Sequence, residues 1–404
     1  MSILFEPLKI GEMEVRNRFV RSATVENMAR ESGEITTELI KFYTRLAKGE
    51  IGLIIPGYMY IHPSGQSVRF QTGIYNDDLI HGLKKITDTI HKQDGKVAFQ
   101  IAHAGIQTYK GLIGKLPSGP SGKILNPSTL TKSKEMLEEE IFDSIQAFAD
   151  AAERAVAANA DAVQLHAAHG YLINQFLSPF YNRRSDDWGG SEENRFRFLK
   201  EIILKVKSIL PRDIPLLIKL NSNDYTIKDG ITPPVAAKYA QWLTNLGIDA
   251  IEVSCGSAHF AIFQMCRGEV PVKEITQYFP DKLKPLAEKV MQDMVGKYDF
   301  EEGYNLEAGK SIKSKIGEIP LMLVGGLRSF NYMEDIVKRN YTDFISISRP
   351  FIREPFLVKN FKEGKTNKAA CISCNRCFAA IPNDYPISCY VNKFPNEIKP
   401  TVYI

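Results

Sequence analysis

No stretch of eighteen apolar residues occurs anywhere in the 404-residue chain, so nothing in it is long enough to cross a bilayer as a helix. The opening residues, MSILFEPLKIGEMEVRNRF, reach Glu6 and further charges too early for a secretory signal. A long basic block is also missing. The net charge of +4 is spread along the chain, which gives no case for nucleic acid or an anionic membrane as a partner. There is no G-x-G-x-x-G after a strand, and with it goes support for a Rossmann nucleotide domain. Cysteine is sparse over most of the length. Cys255 and Cys266 stand apart without a pairing pattern, whereas Cys371, Cys374, Cys377 and Cys389 crowd into nineteen residues. In a reducing compartment such a cluster is more in keeping with a metal site than with a disulfide framework. These absences lead us to expect a soluble, cytoplasmic protein.

What the chain does have is alternation. With 44% hydrophobic residues it can fill a large core, and its length suits a barrel of about 250 residues with insertions. Eight short β-rich runs lie near Phe19 to Thr24, Gly52 to Pro56, Val97 to Ala102, Ala162 to His166, Leu216 to Leu220, Ala250 to Ser254, Leu321 to Val324 and Phe344 to Ser348. Amphipathic stretches such as Glu138 to Asn159 and Ser191 to Leu210 separate them. The pattern predicts an α/β fold, a (β/α)8 TIM barrel over residues 1–365, followed by a four-cysteine segment over 366–404.

The chain is organised around Leu165 to Pro179, LHAAHGYLINQFLSP, where His166, His169 and Tyr171 follow the end of the fourth strand. Any one of them alone is ordinarily a packed, hydrogen-bonded structural group. Three proton-handling groups at one strand end favour an active site, because the βα loops of a barrel open on that face. The other strand ends carry small residues, the amide of Gln100 and the cation of Lys219. Gly325 and Gly326 follow strand seven, and Ser348 and Arg349 end strand eight. A glycine pair alone reads as a tight turn, but at this position in a barrel it suits a phosphate.

These residues resemble the Old Yellow Enzyme flavoproteins. The resemblance covers roughly residues 3 to 360 and runs through FEPLKIGEMEVRNRFVRSAT, FQIAHAG, LHAAHGYLINQFLSPFYNRRSDDWGGSEENRFRF, KLNSNDY, VGGLRS and SRPFIREP. It implies FMN at the top of the barrel. Ser22, Ala23 and Thr24 would line one edge of the isoalloxazine, Gly57 would lie near its pyrimidine end, and Gln100 would hydrogen-bond that ring. Lys219 stands where the family usually places an arginine, beside the N1/O2 region; lysine keeps the charge and loses the planar fork. Gly325, Gly326, Ser348 and Arg349 would complete the cofactor site. The implied chemistry is that of an NAD(P)H:flavin oxidoreductase acting as an ene-reductase. NAD(P)H gives hydride to the flavin, and an activated alkene then takes its place. His166 and His169 polarise the alkene's carbonyl, the flavin returns hydride to the β-carbon, and Tyr171 protonates the α-carbon.

The C-terminal pattern is C-x2-C-x2-C-x11-C. Three closely spaced thiolates resemble iron–sulfur ligation more than the paired C-x2-C of structural zinc sites, with zinc as the alternative. The pattern also resembles the iron–sulfur branch of the same family, which includes 2,4-dienoyl-CoA reductase and trimethylamine dehydrogenase. That resemblance implies a [4Fe-4S] cluster on Cys371, Cys374, Cys377 and Cys389. Long members of that branch carry further nucleotide-binding domains after the cluster, whereas this sequence runs to Ile404, so an electron-transfer protein is expected as a partner besides the small alkene. A homo-oligomer is also expected. VENMARESGE lacks the cysteine through which the amine dehydrogenases attach their flavin. Two other readings are a flavin-dependent dehydrogenase or demethylase running in the oxidative direction, and an electron-transfer flavoprotein without a small substrate. His259 is a weaker candidate for proton handling. Residues 256–315 read as an insertion that covers the site and sets substrate size.

Overall fold

The computed structural model describes residues 2–126, 131–226, 228–258 and 261–395. Eight parallel strands close into a barrel: β1 (Phe19–Arg21), β2 (Leu53–Ile54), β3 (Lys96–Ala102), β4 (Ala162–Ala167), β5 (Leu216–Asn221), β6 (Ala250–Ser254), β7 (Leu321–Val324) and β8 (Phe344–Ile347). Each pairs with its successor, and β8 pairs with β1. The first two strands are shorter than their apolar runs predict. Arg21 supplies the reason: its guanidinium takes the carbonyls of Ile55, at 2.7 Å, and Thr24, at 3.1 Å, so those groups leave the ladder.

Helices follow the strands around the outside: α1 (Thr37–Lys48), α2 (Ile80–His91), α3 (Glu138–Ala157), α4 (Glu192–Lys207), α5 (Pro233–Asn245), α6 (Leu306–Lys313), α7 (Phe330–Lys338) and α8 (Leu357–Lys362). Their starts follow from local chemistry. Thr36 and Ser191 accept the backbone N–H three residues on, at 3.2 and 3.1 Å, and α3 opens on Glu138, Glu139 and Glu140, where the helix dipole favours negative charge. Each helix lays an apolar stripe on the strands. Among the described residues no helix is long and apolar enough to cross a membrane.

Inside the barrel, the period of two along a strand sorts side chains into layers. The lowest is apolar: Val20, Leu53, Ala98, Ala162, Leu217, Ala250, Met322 and Phe344 pack together, floored by Ile10, Met13 and Val15 of an N-terminal hairpin. Two residues further along, six of the eight inward positions become polar, as Ser22, Gln100, Gln164, Lys219, Glu252 and Ser346, all buried, while β2 and β7 continue with Ile55 and Val324. Two more steps reach the rim with Thr24, His166, Ser254 and Ser348. The fold therefore delivers an insulated polar layer directly beneath the strand ends.

Candidate active site

The rim encloses a cavity of about 520 Å³, within the roughly 300–1,000 Å³ of small-ligand sites. Ser22, Ala23, Thr24, His166, His169, Tyr171, Lys219, Gly325, Gly326, Ser348 and Arg349 all border it, so most of the residues singled out in the sequence meet in one space. Gly57 and Gln100 are not on its wall. The Gly57 N–H is held by Glu26 at 2.8 Å, and the Gln100 amide lies one layer down, donating to Gln164 at 2.6 Å. His259 lies outside the described residues.

The His–His–Tyr group is held firmly. The His166 ring sits 5.2 Å from that of His169 and 4.8 Å from that of Tyr171, centroid to centroid. His169 adopts the left-handed φ of +61°, a conformation that costs a non-glycine residue about 1–3 kcal/mol. Its neighbours fix it there. Gln107 donates to its carbonyl at 2.5 Å, and its ring Nε2 bonds Ser254 Oγ at 2.7 Å. Asn174 and Gln175, on the short helix that Tyr171 begins, bind the N–H and carbonyl of Gly170 at 2.6 Å each. Burial first, then the nearby charges, hold both imidazoles well below the usual histidine range, so both are neutral at pH 7. Burial, followed by Tyr58, pushes the Tyr171 hydroxyl well above the ordinary tyrosine value, so it keeps its proton.

Beneath them, Lys219 and Glu252 face each other across the β5–β6 register, with Nζ 3.2 Å from Oε2. Glu252 also accepts from Ser22 at 2.7 Å, Ser346 at 2.6 Å and Gln164 at 3.0 Å. Lys219 donates to Ser22 at 2.9 Å. Glu252, Gln164, Ser346 and Tyr58 were not found by sequence reasoning. For the first three the signal was present, since each lies two residues beyond an inward apolar residue of its strand.

The donor set fits FMN. His166 Nδ1, on the cavity wall, is buried without a partner and open to a polar ring; Gln100 Oε1 is also unpartnered, in the layer below that wall. At the other end Gly325 and Gly326 have φ of 153° and 70°, and a Cβ on Gly326 would meet the Glu301 carbonyl at 2.5 Å, so close packing as well as backbone conformation calls for glycine where this loop borders the cavity. Arg328 borders the same end. Arg349 is engaged differently from the phosphate role read in the sequence. Its Nη1 bonds the Arg267 carbonyl at 2.9 Å and Asn375 Oδ1 at 2.5 Å, so it stands between this cavity and a second one.

That second cavity, about 20 Å³, is lined by Cys371, Cys374, Cys377 and Cys389 together with Arg349 and Asn375. Left-handed Ser373 and Asn375, each at φ 56°, wind the loop around it. The donor chemistry suits a metal or cluster, but the room is that of about one water. Among the described residues no group of three or more Cys, His, Asp or Glu side chains is arranged to hold a metal ion; the four thiols border one space without converging. The cysteine segment is tied to the barrel: Asn383 donates to the Glu274 carbonyl at 2.8 Å, and the Ile387 N–H donates to that of Glu26 at 2.7 Å. Cys377 also borders the large cavity.

Comparison with known proteins agrees with this geometry. Residues 3–301 match the family described as NADH:flavin oxidoreductase / NADH oxidase. The chain is 33% identical over 377 residues to an NADH oxidase of Thermoanaerobacter brockii, covering 92% of this chain and 52% of that protein. It is 32% identical over 357 residues to an NADPH dehydrogenase of Bacillus subtilis strain 168, covering 88% and 93%. It thus spans about half the length of the first relative and nearly all of the second. Among solved structures, a 2-naphthoyl-CoA reductase in complex with 2-naphthoyl-CoA superposes with a TM-score of 0.83 at 26% identity, over 96% of this chain and 57% of that one. An Old Yellow Enzyme homologue from Zymomonas mobilis shares the fold, with a TM-score of 0.71 at 22% identity over 92% and 95%. With its closed barrel, its His–His–Tyr rim and these relatives, the chain belongs to the NADH:flavin oxidoreductase / NADH oxidase family.

Proposed function

We propose that this protein is an FMN-dependent, NAD(P)H-driven reductase of activated C=C bonds. The observation that carries the reading is a buried tyrosine hydroxyl grouped with two imidazoles on one cavity wall. Ser22, Ala23, Thr24 and Lys219 would hold the flavin ring, and Gly325, Gly326 and Ser348 its phosphate end. When bound, FMN supplies hydride transfer. The side chains do the rest. His166 and His169 donate hydrogen bonds to the substrate carbonyl oxygen, where negative charge develops. Tyr171 delivers its proton to the α-carbon. Because Glu252 sits against Lys219, the cation beneath the ring is largely compensated.

The cavity extends into an apolar chamber walled by the 256–315 insertion. Helix Lys284–Gln292 buries none of its residues; Leu286, Ala287, Val290 and Met291 line the chamber at helical spacing. This supports a substrate with a wide or long apolar portion, in keeping with the aromatic acyl thioester bound by the 2-naphthoyl-CoA reductase. Two measurements test the reading together. FMN-loaded protein reduced anaerobically by NAD(P)H should be reoxidised by an α,β-unsaturated carbonyl compound, and Leu286→Asp with Val290→Asp should raise KM for a long-chain enone about tenfold while sparing a small cyclic one. Failure of any enone to reoxidise the protein, with reduction by an amine instead, would favour the oxidative direction.

We propose a [4Fe-4S] cluster on the four cysteines; what supports it is their spacing and shared cavity, and holding it would require the thiols to turn inward and a space of about 20 Å³ to widen. Protein purified without oxygen should carry about four irons per chain, and Cys374→Ser should remove iron and sulfide while FMN stays. About one zinc in place of iron would overturn the cluster, and joint loss of FMN would make the segment a structural part of the barrel.

A further inference from the structure

We propose that Tyr58 and Ser67 form the path through which the proton given up by Tyr171 is replaced from solvent. This rests on the assignment of Tyr171 as proton donor. Tyr58 follows β2 and borders the cavity. Its ring packs 4.8 Å from that of Tyr171 and 5.5 Å from that of His166. The Tyr171 hydroxyl donates to Tyr58 Oη at 2.7 Å, and Tyr58 Oη lies 3.0 Å from Ser67 Oγ. Ser67 in turn donates to Gln71 Oε1 at 3.1 Å, and the same Gln71 ties its own Nε2 to the Tyr58 carbonyl at 3.0 Å. An amide oxygen can only accept, so every hydroxyl in the row points from Tyr171 toward Gln71 while Tyr171 is charged with its proton.

The row also changes in exposure. Tyr171 is 6% exposed, whereas Ser67 and Val68 are half-buried at the edge of the same cavity, and Arg69 and Phe70, half-buried and off its wall, carry the segment on toward solvent. When a substrate fills the cavity, water cannot reach Tyr171 from that side, and a phenolate left in so dry a place is costly. Reversal of the row removes it. The Tyr171 O–H bond breaks as its proton goes to the substrate α-carbon. The Tyr171 oxygen then takes the Tyr58 proton, Tyr58 takes that of Ser67, and a solvent acid reprotonates Ser67. One proton enters for each one that leaves, and no electron moves.

Tyr58→Phe and Ser67→Ala separate the relay from the donor. Both should leave the first turnover of pre-reduced protein close to wild type, because Tyr171 begins protonated, and should cut the steady-state rate about tenfold. The curved solvent-isotope proton inventory of the wild type should become linear, and Ser67→Thr should restore the curvature. On the protein without substrate or cofactor, the ¹³Cζ resonance of labelled Tyr171 should shift in both variants. Unchanged steady-state rates and inventories in both would overturn the relay alone. If Tyr171→Phe itself leaves alkene reduction intact, the donor assignment fails and the relay falls with it.

Discussion

Replacing Tyr171 by phenylalanine should slow alkene reduction by roughly 100- to 10,000-fold, the usual contribution of a positioned general acid, while flavin reduction by NAD(P)H stays close to wild type. The two half-reactions ask for different things: the first transfers only hydride, and the second also needs a proton on carbon. Phenylalanine keeps the ring contacts to His166 and Tyr58, at 4.8 Å each, and removes only the oxygen, so substrate binding should change little. Because burial holds the imidazoles neutral and the phenol protonated, the wild-type rate should run level through neutral pH. It should fall only where the tyrosine itself titrates, far on the alkaline side. Stopped-flow traces of each half-reaction, taken separately, read this directly. Equal loss in both would mean that Tyr171 shapes the site without giving a proton, and a level profile that instead bends near the ordinary histidine range would place a charged imidazole in the chemistry.

The barrel was legible because each strand is a short apolar run and each helix an amphipathic one, and the eight runs coincide with the eight strands to within a few residues. The His–His–Tyr rim was legible because those groups are adjacent in sequence. The polar layer beneath was harder to see, although Glu252 stands in AIEVS and Gln164 in AVQLHA with nothing but burial to explain them. Counting two residues on from Ala250 and Ala162 would have found both. Tyr58 had no such signal. It lies in the loop PGYMYIHPSG, where no periodicity says which side chain turns inward. Arg349 illustrates the limit differently: its partners, the Arg267 carbonyl and Asn375, are 82 and 26 residues away, and only the folded chain reveals that they claim it. The amphipathic face of helix Lys284–Gln292 could be read from its sequence, but the chamber that it faces could not.

Lys219→Met should be the most destabilising single change at the floor of the site. Glu252 is fully buried and Lys219 only 2% exposed, and the lysine is the one cation among the described partners of that carboxylate. Removing it leaves the buried Glu252 carboxyl with only neutral donors around it, and breaking such a pair costs about 3–5 kcal/mol, a large share of the roughly 5–15 kcal/mol that holds a domain folded. Adding Glu252→Gln should restore most of this. The glutamine Oε1 can still accept from Ser22 and Ser346, and its amide would present N–H to Gln164. Gln164 can turn over and donate to Gln100, whose Oε1 has no partner, so the whole row of amides reverses with every bond kept. Thermal unfolding of the two variants without cofactor therefore isolates the ion pair from any effect on FMN. A double variant as unstable as Lys219→Met alone would show that the lysine stem, packed beneath the cavity, matters more than its charge. A recovered Tm with weakened FMN binding would instead assign the charge to the cofactor.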